Sequence, residues 1–176
     1  MRESNTLVKP AAMDSAGTLI EVGMADMKMA VNPSVIVTRG LGSCLGVVLY
    51  DGLKKLAALA HPMLPKIDEG RVKSNPYKFV DSAIAAMLEE FRKKGCQPFL
   101  LTAKIFGGAH MFSSIPIDSI FNIGMRNAEV AKEIFSANGI KLIAEDTGGN
   151  SGRTIFVDSA TGKVAVRTLF HGEKVL

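Results

Sequence analysis

Apolar residues recur along this chain in two rhythms. Phe79, Ala83, Met87 and Phe91 lie four apart, and Val80, Ile84 and Leu88 widen the same face. That spacing predicts an amphipathic helix. Ser74 or Asn75 can cap it, Pro76 suits its first turn, and Gly95 can end it. Glu89, Glu90, Arg92, Lys93 and Lys94 form its solvated face. A second helix is predicted from about Ile123 to Asn138, with Val130, Ile134 and Phe135 inward and Gly139 as the stop. Elsewhere the apolar runs are short, often β-branched, and bounded by Gly, Asp, Asn or Pro, the pattern of strands. Residues 18–31 read as one or two strands about an Asp turn. Further strands are predicted over 33–38, 44–51, 56–64, 98–106 and 140–147. A hairpin joins 153–158 to 163–170 over Ser159–Gly162.

Strands outnumber helices and short turns join them. The expected fold is therefore α+β, a layered α/β sandwich of mostly antiparallel sheet with two main helices. Residues 1–17 are polar and read as a flexible N-terminal tail, and 18–176 as a single domain.

Composition narrows the classes. The chain has 176 residues, 47% hydrophobic and 22% charged, ordinary for a globular protein. Its net charge of +4 comes from scattered basic residues with no interleaved aromatics, which argues against nucleic acid as a partner. No run approaches the ~20 apolar residues of a membrane span, and the start lacks the apolar centre of a signal peptide. Membrane insertion is not expected. Cys44 and Cys96 are the only cysteines, too few for a secreted disulfide framework and suited to a reducing cytoplasm. No His, Cys and carboxylate cluster has metal-ligand spacing, so no metal or cofactor is expected.

Register arithmetic singles out three residues. If the strands 33–38, 44–51 and 56–64 form a meander, the loop Arg39–Ser43 sets Thr38 opposite Cys44. The turn Asp51–Lys54 sets Tyr50 opposite Lys55, and that register carried along the pair sets His61 opposite Cys44. Directly opposite residues share a sheet face, and a slip of one residue would turn His61 away. In such a row an imidazole can take the thiol proton or stabilise the thiolate, and Thr38 can orient its other nitrogen. Gly40 and Gly42 let the loop turn so that backbone N–H groups around Ser43 and Cys44 meet an oxyanion. By burial habit alone, a cysteine in an apolar strand is more often core than nucleophile, and a strand histidine more often structural. The glycine loop lacks the following helix of a phosphate or dinucleotide loop, so nucleotide binding is rejected there.

Five motifs in order resemble the CheD family of chemoreceptor glutamine deamidases: "TRGLGSC", "AHPMLP", "KIFGGAHMF", "NIGMRN" and "AEDTGGNSGR". The resemblance runs from about Ile20 to Phe170. It implies Cys44 as nucleophile, His61 as base and Thr38 as third member. It also implies hydrolysis of receptor glutamine side chains to glutamate with loss of ammonia, without cofactor. The implied fold is that of the cytotoxic necrotizing factor-type deamidases. The implied partners are methyl-accepting chemotaxis receptors and the CheC phosphatase. An adaptor that acts mainly by binding CheC or receptors is the alternative, and intact Thr38, Cys44 and His61 argue against a purely inactive one. A transamidase or protease with the same pair is chemically open, since any nucleophile can capture the acyl-enzyme.

Other residues carry weaker signals. Gly107, Gly108, Met111 and Phe112 either line a substrate groove or form a tight turn with two core residues. His110 stands where the family resemblance leads one to expect a small residue, and is a polar contact or simply exposed. Glu145 and Asp146 fit a strand end. Arg126 and Asn127 cap or brace the second helix, Cys96 is structural, and His171 lies in a solvated tail.

Overall fold

Leu45–Asp51 and Leu56–Ala60 are apolar at nearly every position, which a strand accepts only when both its faces are covered. The two runs pair antiparallel at the centre of the molecule, and the rest is built in layers around them. The computed structural model describes residues 10, 13, 17–111, 122–168 and 172–176. In chain order the strands are β1 (Thr18–Val22), β2 (Met27–Val31), β3 (Ser34–Leu41), β4 (Leu45–Asp51), β5 (Leu56–Ala60), β6 (Leu101–Gly107), β7 (Lys141–Thr147), β8 (Arg153–Asp158), β9 (Val164–Thr168) and β10 (Gly172–Val175). The helices are α1 (Val80–Lys93) and α2 (Ile123–Ala137).

One sheet has the order β2-β5-β4-β6-β7, the other β1-β3-β8-β9-β10. Only β1–β3 and β6–β7 pair in parallel among these strands. Odd positions of β4 and even positions of β5 meet Val80, Ile84, Met87 and Phe91 of α1 and Val130 and Phe135 of α2. The opposite face packs Val48, Ala57, Leu59 and Phe106 against Ile36, Leu41, Ile155 and Val157 of the second sheet. Beyond that sheet Met13 is buried with Val35, Val37, Phe156 and Ala165. The mixed α+β sandwich, mostly antiparallel and with two helices, is thus as the sequence predicts.

Local chemistry sets the boundaries. A 3-10 turn, Pro76–Lys78, precedes α1, and Asn75 accepts a hydrogen bond from Tyr77 N–H at 2.9 Å. The Asn122 side chain caps α2 by accepting from Met125 N–H. Cys96 is buried against the helical layer, in keeping with a structural role.

Several expectations need correction. The strand expected from Pro98 begins at Leu101, because Pro98–Leu100 closes a 3-10 turn and leaves Phe99 exposed. The run from Leu56 stops being a strand at Ala60, just before Pro62, which has no N–H for the ladder. The chain end forms β10, a short exposed strand with no apolar pattern to announce it. His171 lies outside the described residues.

The larger correction concerns the meander. β3 does not pair with β4; it pairs with β1 and β8 in the other sheet. A bulge between Thr38 and Leu41, with Gly40 at φ +69°, bends β3, and the next residues carry the chain across to the first sheet. β4 and β5 do pair, but Tyr50 faces Ala57 rather than Lys55. The turn is longer than expected, with Lys55 at φ +47°. This two-residue shift keeps every side chain on its expected face.

Gly107 tests how tightly the sheet is fitted at β4's start. It sits at φ +96°, and a Cβ there would lie 2.4 Å from the Cys44 carbonyl oxygen. Gly107→Ala is expected to cost about 2–4 kcal/mol, from backbone strain plus overpacking. Urea unfolding measures it, and a loss below about 1 kcal/mol would show that the strand yields freely.

Candidate active site

Thr38 is the last regular residue of β3 before the bulge, fully buried between Val22 of β1 and Ile155 of β8. Its hydroxyl donates to the Val22 carbonyl at 2.7 Å. A threonine has one hydroxyl proton, so the Oγ1 lone pairs face the next neighbour, Nδ1 of His61, also at 2.7 Å. The bond therefore requires Nδ1 to carry the proton. Nε2 is left as a bare acceptor, buried with no partner among the described residues. Thr38 and His61 come from different sheets, so this hydrogen bond spans the sandwich.

His61 continues β5 past Ala60. Its N–H donates to the Asp26 carbonyl at 3.1 Å, and its own carbonyl accepts from Ala25 N–H at 2.9 Å. On the other side Leu45 N–H donates to the Pro62 carbonyl at 3.0 Å, which extends the β4–β5 register by two residues. In that register Gly46 stands opposite His61 and Cys44 is its diagonal neighbour on the same, inter-sheet face. Cys44 is half-buried and packs on the inter-sheet core. The sequence placed it directly opposite His61; the longer turn makes the relation diagonal.

The Cys44 loop is tied from outside by three carbonyls. Gly42 C=O accepts from Ala109 N–H at 2.8 Å, and Cys44 C=O from Gly108 N–H at 2.8 Å. Ser43 C=O accepts from the Asn127 side chain at 2.9 Å. Gly40 has the positive φ expected of it, but Gly42 does not. A Cβ at Gly42 would lie 3.2 Å from Met111 Cγ, a close approach that the exposed methionine side chain can relieve by moving. Met111 therefore leans over the loop while remaining 45% exposed. Phe112 lies outside the described residues. His110 donates its N–H to Gly149 C=O at 2.7 Å, joining this segment to the glycine turn after β7.

Sequence reasoning undervalued Asn127, which it read as a helix brace. Arg126 beside it pairs with Glu69 at 2.7 Å and is a brace in that sense. Asp146 belongs to a cluster with Arg153 and Lys174 at 3.0 and 3.1 Å. Burial pushes its carboxyl up, but those two partners outweigh it and hold the group below its usual range. Among the described residues no three His, Cys, Asp or Glu side chains cluster as a metal site. No described helix is long and apolar enough to cross a membrane.

Electrostatically the site is neutral at rest. Burial pushes the His61 imidazole down to about 4. It also raises the Cys44 thiol from its ordinary value, against a smaller opposing effect of its own backbone N–H. Both shifts favour the uncharged forms, a thiol and a neutral imidazole. Cys96 differs in kind: burial first, and the Asp51 carboxylate next, push it up to about 11.

A family model described as CheD chemotactic sensory transduction matches residues 63–168. The chain belongs to the CheD family. Curated CheD relatives extend the likeness over most of the chain. A probable chemoreceptor glutamine deamidase CheD of Desulforamulus reducens is 46% identical over 157 residues, covering 89% of this chain and 95% of that one. The protein of the same name from Syntrophomonas wolfei is 46% identical over 158 residues, 90% and 98% of the two chains. The one from Thermococcus kodakarensis is 41% identical over 156 residues, 89% and 96%. Bacillus licheniformis hypothetical protein YfiH has a TM-score of 0.45 at 15% identity, covering 70% of this chain and 51% of that one. A Neisseria meningitidis DUF152 protein has a TM-score of 0.46 at 12% identity, covering 84% and 74%. Scores this low carry no argument.

Two outcomes follow from the neutral pair. In the unfolded chain a histidine titrates near 6.5, whereas folded His61 titrates near 4. Between those values the unfolded chain binds more protons, so stability falls as pH falls through that window. The loss is on the order of 3 kcal/mol. Urea midpoints measured from pH 7 to 4 should show it, and His61→Gln should flatten the slope above pH 4. A wild-type slope no steeper than the variant's would contradict a buried neutral imidazole. Separately, alkylation of Cys44 by iodoacetamide should accelerate with pH without an inflection below pH 9. A plateau near neutrality would reveal a preformed ion pair.

Proposed function

We propose that the chain is a cysteine-dependent protein-glutamine deamidase acting on methyl-accepting chemotaxis receptors in the cytoplasm. The observation that carries this is the Thr38–His61 bond: it leaves Nε2 bare, on the sheet face that Cys44 shares. The names of the curated relatives supply the substrate class. A kinship with the cytotoxic necrotizing factor-type deamidases belongs to the same proposal.

The reaction begins from thiol and imidazole. Nε2 of His61 takes the Cys44 proton as Sγ bonds to the glutamine side-chain carbonyl carbon, so thiolate forms only as it is consumed. The carbonyl oxygen becomes an oxyanion. Gly42 N–H is already given to Gly40 C=O at 2.9 Å, which leaves the Ser43 and Cys44 N–H groups as donors. The imidazolium returns its proton to the leaving nitrogen, the C–N bond breaks, and ammonia departs. Water then attacks the thioester, giving a proton to Nε2, and collapse releases glutamate and restores the thiol. Throughout, Thr38 holds Nδ1–H, so Nε2 remains the nitrogen that shuttles the proton. Met111, leaning over the loop, offers an apolar contact to a receptor helix, with Gly107 and Gly108 behind it.

Cys44→Ala should release no ammonia from a receptor cytoplasmic fragment and leave every glutamine unchanged in mass. Ammonia release at the wild-type rate would end the proposal. Thr38→Val should slow turnover on the order of 100-fold, because Nδ1–H loses its acceptor and the tautomer is no longer held. Thr38→Ser keeps the oxygen and should retain most of the rate. Equal losses in both variants would show that the threonine acts through packing.

A further inference from the structure

Asn127 is fully buried on α2, yet its amide reaches two segments of the site. Nδ2 donates to Ser43 C=O at 2.9 Å and to Met63 C=O at 3.1 Å. One –NH2 group has two hydrogens, and here each has its own carbonyl. The flipped amide would set Oδ1 against two carbonyl oxygens, so the orientation is dictated. The cost is visible: Oδ1 is buried with no partner among the described residues. A group kept at such a cost wants an explanation beyond packing.

The Ser43 carbonyl belongs to the same peptide unit as the Cys44 N–H. That peptide is trans, so its N–H points opposite to its C=O. Fixing one fixes the other. We infer that Asn127 is a positioning residue that locks the Ser43–Cys44 peptide plane, so that Cys44 N–H points toward the forming oxyanion. The inference rests on Cys44 being the nucleophile. The neighbouring carbonyls, Gly42 and Cys44, are held by backbone N–H groups of Ala109 and Gly108. Ser43 is the middle one, and among the described residues only a side chain holds it. The second hydrogen, on Met63, ties the same amide to the segment two residues after His61. One side chain thereby references the donor to the base.

Asn127→Ala and Asn127→Asp separate this from a role in folding, each assayed below its own thermal midpoint. The aspartate keeps the shape but turns acceptors toward both carbonyls. Ammonia release from a receptor cytoplasmic fragment should fall about 100- to 1,000-fold, the usual effect of losing one oxyanion donor. Alkylation of Cys44 by iodoacetamide builds no oxyanion and should stay within about threefold of wild type. The Ser43 carbonyl carbon and Cys44 amide nitrogen resonances should move upfield in Asn127→Ala, whether or not the protein turns over. Parallel losses of ammonia release and alkylation, unchanged ammonia release, or unmoved resonances would each overturn the lock. A wild-type protein that alkylates but releases no ammonia would instead refute the deamidase reading, leaving the resonance shifts to test the lock alone.

Discussion

The hydrogen bond between Thr38 and His61 crosses from one sheet to the other, and the site depends on it. Apolar contact holds the sheets together but does not say where along each other they stop. A bond of 2.7 Å does. It runs in one direction because Thr38 has already given its proton to the Val22 carbonyl, which makes the shared hydroxyl an acceptor. A strand neighbour in the second sheet thus decides which imidazole nitrogen in the first is free. Remove the β1–β3 pairing and the histidine loses its tautomer before it loses its place.

Much of this was legible in the residues. Four-residue spacing from Phe79 to Phe91 marked the buried face of α1, and the runs at Cys44 and Leu56 marked the central pair of strands. Thr38, Cys44 and His61 were singled out by a register that proved wrong in its pairing. The structure nevertheless joins Thr38 to His61 and keeps Cys44 on the expected face. The reason is parity: β4 and β5 shifted by two, and two is the side-chain period of a strand. What could not be read was which sheet β3 joins. A loop with glycines at 40 and 42 suits a hairpin and a crossing equally well, since local conformation does not name the distant partner. The unbroken apolarity of β4 and β5 was the available clue, because strands covered on both faces need a second layer.

Asn127 was hidden for a similar reason. A polar residue within a helix reads as a brace or a cap, and its partners lie 84 and 64 residues away. No periodicity links a helix side chain to the peptide before a cysteine. At Gly42 no left-handed conformation is required, and a Cβ would meet only the flexible side chain of Met111, while the dihedral demand falls on Gly40.

Away from the Thr38–His61 bond, Lys104 of β6 is buried and its ammonium donates to the carbonyls of Gly162 and Leu176, at 2.9 and 2.8 Å. Burial lowers its affinity for a proton. Taken with the Thr38–His61 bond, the Tyr50 hydroxyl on Ala160 C=O and the pairs of Asp146 with Arg153 and Lys174, this gives the sandwich several polar pins across an apolar joint. Two layers fastened at one point can swivel; fastened at several, they cannot. The lysine takes no part in the chemistry, yet it is one of the fasteners that set the stiffness against which that chemistry is aligned.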